Sequence, residues 1–170
     1  MSQVYQGLPA NTIDDLVFAG ERAEVLSALA SGKVQAALIS EPEPAELIVM
    51  NKQKLQMKLI AKNARVFLVN QQAKINNLSL RQAVNSERSN PWHYYQCLDG
   101  KEQANYRLLT VAGIAANKDN ILRDVYPLVE NIYFAFLDQE NIYLTRLADF
   151  FLSVQGQNLL SDYHLVSLNH

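Results

Sequence analysis

Two short apolar runs, Leu16–Ala19 and Val34–Ile39, flank a segment with helical periodicity, and this spacing constrains the fold more than any other feature of the chain. Leu16-Val17-Phe18-Ala19 reads as a buried strand that turns at Gly20. Within Glu21–Ser31 the residues Val25, Leu26 and Leu29 recur on one helical face, and Glu21 and Glu24 lie near the positive end of the helix. Gly32 is placed to end it. Ala36-Ala37-Leu38-Ile39 is an almost unbroken apolar run, the pattern of a parallel strand covered on both faces. Strand, helix and strand with short joins make a right-handed crossover unit and place the chain in the α/β class.

The remaining segments extend that unit. Ser40-Glu41-Pro42-Glu43-Pro44 stops the second strand and lets a helix start near Ala45. Leu55–Ala61 and Arg65–Val69 read as two strands, and Asn76-Asn77 as a turn. Ser79 is expected to cap a short helix over Leu80–Val84. Tyr106–Val111 reads as a strand, Asn117–Leu122 as a helical turn and Ile132–Leu137 as a strongly strand-prone run. In the following helix Tyr143, Leu147, Phe150, Phe151 and Val154 share one face, which is expected to be core. Ser153 is placed to cap the last helix.

Composition excludes several functions. With 170 residues and 49% apolar content the chain can bury a core without metal or disulfide staples. A net charge of -2 and the absence of a basic block argue against nucleic acid as a partner. Cys97 is the single cysteine, so no internal disulfide forms, and a buried thiol is expected. The three histidines are far apart, so no metal site is expected. No apolar run reaches the roughly 20 residues of a membrane span, and the opening MSQVYQGLPANT carries no signal-peptide pattern. There is no nucleophile elbow, P-loop or dinucleotide fingerprint, so an enzyme is not expected.

Four segments, in order, resemble one family. These are Leu29–Leu47, with Ser40-Glu41-Pro42; Ile60–Asn70 followed by Asn77–Gln82; Ala112–Ile121 with Tyr126-Pro127-Leu128; and Phe151–Gln157 with His164–Leu168. Together they resemble the phosphate-type solute-binding proteins of bacterial ABC transporters. The resemblance implies a type II periplasmic-binding-protein-like α/β fold with a mixed sheet flanked by helices. The fifty residues 71–120 are too few for a full second lobe, so residues 1–70 and 121–170 are expected to form a main lobe and 71–120 a reduced one. The family's N-terminal Gly-Ser-Thr loop has no counterpart in Met1–Asp15, and its R-x-x-G-S-G-T segment is replaced by Ser86-Glu87-Arg88-Ser89.

The resemblance also implies a function: capture of inorganic phosphate or a related oxyanion, without chemistry or cofactor. A transporter permease is the implied partner and the periplasm the implied location; a chain without a signal peptide would instead be cytoplasmic. Ligands of open α/β sheets sit beyond the carboxyl ends of strands, against helix N-termini. Gly20, Arg22, Ser40 and Glu41 occupy such positions, and Arg88 is a further source of positive charge. Glu41 accepts hydrogen bonds only, so it suits the proton of monohydrogen phosphate. The competing reading makes Glu41 and Glu43 solvated charges and pairs each arginine with a nearby glutamate. On that reading the chain is an interaction or scaffold domain that keeps the fold and has lost the ligand.

Overall fold

The computed structural model describes residues 22–52, 54–86, 92–98, 105–137 and 141–168. In chain order the elements are α1 (Arg22–Ala30), β1 (Ala36–Ser40), α2 (Pro44–Lys52), β2 (Leu55–Asn70), β3 (Asn77–Leu78), α3 (Leu80–Asn85), β4 (Trp92–Tyr94), a 3-10 turn (Tyr95–Cys97), β5 (Tyr106–Leu108), β6 (Thr110–Val111), α4 (Lys118–Leu122), β7 (Val129–Leu137), α5 (Ile142–Leu152), α6 (Val154–Asp162) and β8 (Val166–Ser167). No helix among the described residues is long and apolar enough to cross a membrane.

The sequence suggests two strands between Leu55 and Val69; the structure has one strand of 16 residues. No glycine or proline interrupts Lys62-Asn63-Ala64, and the two polar side chains find partners inside the fold, so nothing ends the strand there. The irregularity lies earlier, at a bulge between Leu59 and Ala61 in the pairing with β7. There the Ile60 carbonyl accepts a hydrogen bond from Gln157 Nε2 at 2.8 Å.

The sheet runs β1-β7-β2-β4, with β5 and β8 also paired to β2. β1 is not the parallel strand that its apolar run suggests: it pairs antiparallel with β7, Ala36 opposite Phe136 through Ser40 opposite Ile132. Leu38 is 52% exposed, so the run is apolar without being covered on both faces. The expected partner strand Leu16–Ala19 lies outside the described residues. Parallel pairing among the described strands is confined to β3 and β6.

Helices cover both faces. On one, α1 buries Val25, Leu26 and Leu29 with Ile39, Met50 and Ala135. Gly32, at φ +71°, ends α1 with its amide on the Leu29 carbonyl while Lys33 N–H bonds Ala28 O. On the other face Ala148 of α5 and Leu160 of α6 pack on Ile60, Phe134 and Phe136. A third cluster joins Val66, Val111, Ile121 and Tyr126 beneath α4 and the small β3–β6 pair. Ser79 caps α3 with a reciprocal bond from Gln82, and Asn117 caps α4.

The expected α5 stripe is largely not core. Tyr143, Leu147, Phe150 and Val154 are exposed, and the helix instead turns Leu144, Ala148 and Phe151 inward. Both stripes obey helical spacing, and the helix cannot bury both against one sheet. Cys97 is likewise exposed rather than buried.

The α5–α6 junction depends on three neighbouring residues. Ser153 Oγ accepts from Gly156 N–H at 3.2 Å. A Cβ on Gly156 would meet the Phe150 carbonyl oxygen at 1.9 Å, so the two helices approach too closely there for any side chain. Gln157 is 2% exposed and donates to the carbonyls of Ile60 and Phe151, while its own oxygen accepts from Leu168 N–H. Gly156→Ala should therefore destabilise the protein by about 2 kcal/mol or more, through forced movement of packed backbone. Thermal melting should show a fall of roughly 4–8 °C; an unchanged midpoint would refute the close approach.

Tyr126 supplies a second test. Its ring is 1% exposed, its hydroxyl donates to the Arg65 carbonyl at 3.0 Å, and burial pushes its pKa up to about 12 against the opposing pull of Arg65. The folded state thus holds this proton above the pH at which the unfolded chain releases it. The contribution is complete below the ordinary value of 10.0 and is lost as pH rises toward about 12. Denaturant titrations should show stability falling across that window, by an amount on the order of 2 kcal/mol for this residue. Tyr126→Phe should remove part of that slope at the cost of about 1 kcal/mol near neutrality.

Candidate functional site

β1 ends at Ser40, and the chain turns there toward the start of α2, beside the start of α1. Arg22, in the first turn of α1, spans this turn. Its guanidinium donates to the Glu41 carbonyl at 3.2 Å and to Glu43 Oε1 at 2.8 Å, and its Nε lies 3.2 Å from Glu46 Oε2. Glu46 also accepts from Glu43 N–H at 2.7 Å, satisfying an amide at the head of α2. Arg22 and Glu41 are thus brought together, and Arg22 clamps the two helix starts. Ser40 is opposite Ile132 and shares its side of the sheet, which faces α5 and α6. Its hydroxyl is therefore directed away from the Glu41 carboxylate. Gly20 and Arg88 lie outside the described residues.

Asn131, Lys62 and Tyr133, which no sequence motif groups, complete the neighbourhood. Asn131 of β7 donates from Nδ2 to Glu41 Oε2 at 3.1 Å, continuing the β1–β7 register by one residue. On the other side of β7, Asn131 stands opposite Lys62 of β2. Directly opposed residues of antiparallel strands point to the same face, and neighbouring strands lie about 5 Å apart. Glu41, Asn131 and Lys62 therefore form one row across three strands: carboxylate, amide and ammonium. Lys62 is 6% exposed, and its ammonium donates to the Leu122 carbonyl and to the Asp124 carboxylate.

Tyr133 stands two residues along the same face. Burial pushes its phenol up, the Glu41 carboxylate adds to that, the Asn131 amide opposes it, and Asp124 raises it further. The proton stays on the phenol at neutral pH, so Tyr133 can donate a hydrogen bond to an incoming oxygen. The Oδ1 of Asn131 is buried and has no hydrogen-bond partner. The row thus offers a carboxylate acceptor, an amide, a phenol and a buried cation within one patch.

A second polar group borders the patch. Arg65 Nε lies 2.9 Å from Glu130 Oε1, and its guanidinium sits 5.9 Å from the Trp92 ring centre. Trp92 meets Tyr94 edge to face at 4.9 Å. Burial first, then the Glu130 carboxylate, pushes the Tyr94 phenol up, and the charges of Arg65 and Arg22 pull it down. Trp92 and Tyr95 pack on the cluster around Val66. Among the described residues no group of three or more histidine, cysteine, aspartate or glutamate side chains could hold a metal ion.

No family model and no curated protein matches the sequence. Solved structures do match. One is a phosphate ABC transporter substrate-binding protein of Clostridium perfringens with bound phosphate, at 12% identity over 88% of this chain and 85% of that one, with TM-score 0.69. Another is an ABC-type phosphate transport receptor of Vibrio cholerae, at 12% identity over 85% of this chain and 84% of that one, with TM-score 0.66. PstS of Borrelia burgdorferi aligns at 11% identity over 87% of this chain and 85% of that one, with TM-score 0.64. At such identities the likeness is one of architecture, and it agrees with the order of segments along the chain. The protein has the periplasmic-binding-protein-like α/β fold of ABC-transporter substrate-binding proteins.

Proposed function

We propose that this chain is a solute-binding domain that captures phosphate or a similar protonated oxyanion for uptake or sensing by an ABC transporter, without chemistry. The observation that carries the reading is the placement of Glu41. Its carboxylate lies beyond the carboxyl end of β1 and is held by Asn131, which stands opposite the buried Lys62 on the next strand. A carboxylate repels a fully deprotonated oxyanion and accepts a hydrogen bond from a protonated one. Such a site distinguishes monohydrogen phosphate from sulfate by the ligand's own proton.

On this reading residues 1–70 and 121–170 form the main lobe, and 71–120 a reduced lobe that closes over the ligand about β2 and β7. A transporter permease would receive the cargo, and the periplasm would be the site of capture. The phosphate transport proteins of the same architecture support the ligand class. One observation favours the rival reading, an interaction domain without ligand: Arg22 is already engaged by Glu41 O, Glu43 and Glu46.

Calorimetric titration at neutral pH separates the two. The oxyanion reading expects phosphate to bind and sulfate to bind more weakly. Glu41→Gln should cut the preference for phosphate over sulfate by about tenfold or more, equivalent to about 1.4 kcal/mol. Absence of heat at millimolar phosphate with a folded sample would leave the interaction domain standing. In that case Ser40→Ala and Glu41→Gln should leave thermal stability nearly unchanged.

A further inference from the structure

Lys62 is the residue in this patch whose chemistry the fold does not fully use. Its side chain is 8% exposed, in the middle of the longest strand, with β7 on one side and β8 on the other. An ammonium so placed needs an anion, because burying an unpaired charge is expensive. The anion present is Asp124, whose own side chain is 62% exposed. Asp124 adopts φ +57° in the connection between α4 and β7. One partner is fixed in the sheet and the other reaches in from a solvent-exposed turn. Leu122 O and Asp124 take two of the ammonium's three donors among the described residues. Beside it the buried Asn131 Oδ1 has no partner.

We propose that Lys62 is the cation that receives the oxyanion, and that Asp124 holds this ammonium until the ligand takes its place. The inference rests on the oxyanion reading above and assigns the positive charge that Arg22, clamped by two glutamates, does not supply. Exchange of one oxygen anion for another leaves the buried ammonium paired throughout, so the step avoids the cost of stripping a charge bare. Released, Asp124 returns to water, where its exposed position leaves little to lose. At the bound oxyanion, Lys62 and Tyr133 donate, and Glu41 accepts the ligand's proton.

A purely structural Lys62–Asp124 pair, tying α4 to the sheet, makes the opposite forecast for one variant. Asp124→Asn removes the competing carboxylate, keeps the size of the side chain and tolerates a positive φ. Exchange expects its affinity for inorganic phosphate to rise by about tenfold, with calorimetry of the unmodified chain run in parallel. Lys62→Met should lose about 100-fold in affinity, and Lys62→Arg should retain most of it. Should Lys62→Met not fold, Asp124→Asn still decides. Unchanged or weaker phosphate binding by Asp124→Asn, with binding intact in the unmodified chain, overturns the exchange alone. No binding by the unmodified chain overturns the oxyanion reading and the exchange with it.

Discussion

The β2–β7 ladder is the constraint on which the rest of the molecule depends. It pairs Leu55 with Leu137 through Ala64 with Val129, and every cluster of the core contacts it. The bulge at Ile60 interrupts the ladder and leaves a carbonyl that needs a partner. Gln157 provides that partner from α6, and with Leu168 N–H it fastens the C-terminal segment to the same point. The Ser153–Gly156 turn places Gln157 at that carbonyl.

The same ladder organises the polar patch. Antiparallel register places Glu41, Asn131 and Lys62 side by side, although 21 residues separate Glu41 from Lys62 and far more separate either from Asn131. Charges of opposite sign flank a neutral amide, and the buried ammonium at one end of the row is paired by Asp124 from outside it. Its polarity is directed to the sheet edge where α1 and α2 begin. Arg22 stiffens that edge by bridging the two helix starts, a structural use of a residue that the sequence offered as a ligand contact.

Local chemistry was legible where a residue acts within a few positions of itself. Gly32 ends its helix, Ser79 and Ser153 cap theirs, and the run through Ile132–Leu137 is a strand because each depends on near neighbours. Misreadings arise where burial from afar decides. β1 has the composition of a doubly covered strand, yet Leu38 is exposed and the pairing is antiparallel. The aromatic stripe of α5 has valid helical spacing, but the sheet receives the neighbouring stripe with Leu144, Ala148 and Phe151. In the polar patch, the position of Glu41 just past a strand end was legible from the Ser-Glu-Pro turn. Lys62 was not: a lysine inside a strand carries no sign, in sequence, of what it will face.

The sequence by itself determined the helix caps, the strand-prone run at Ile132–Leu137 and the α/β class, because propensity, capping and turn chemistry act over a few residues. Segment order also carried the architecture that the solved structures share. Only the tertiary structure decided the strand directions, the helix face that is buried and the row of carboxylate, amide and ammonium. Those depend on register between strands distant in the chain, and register is set by packing of the whole sheet rather than by any segment within it.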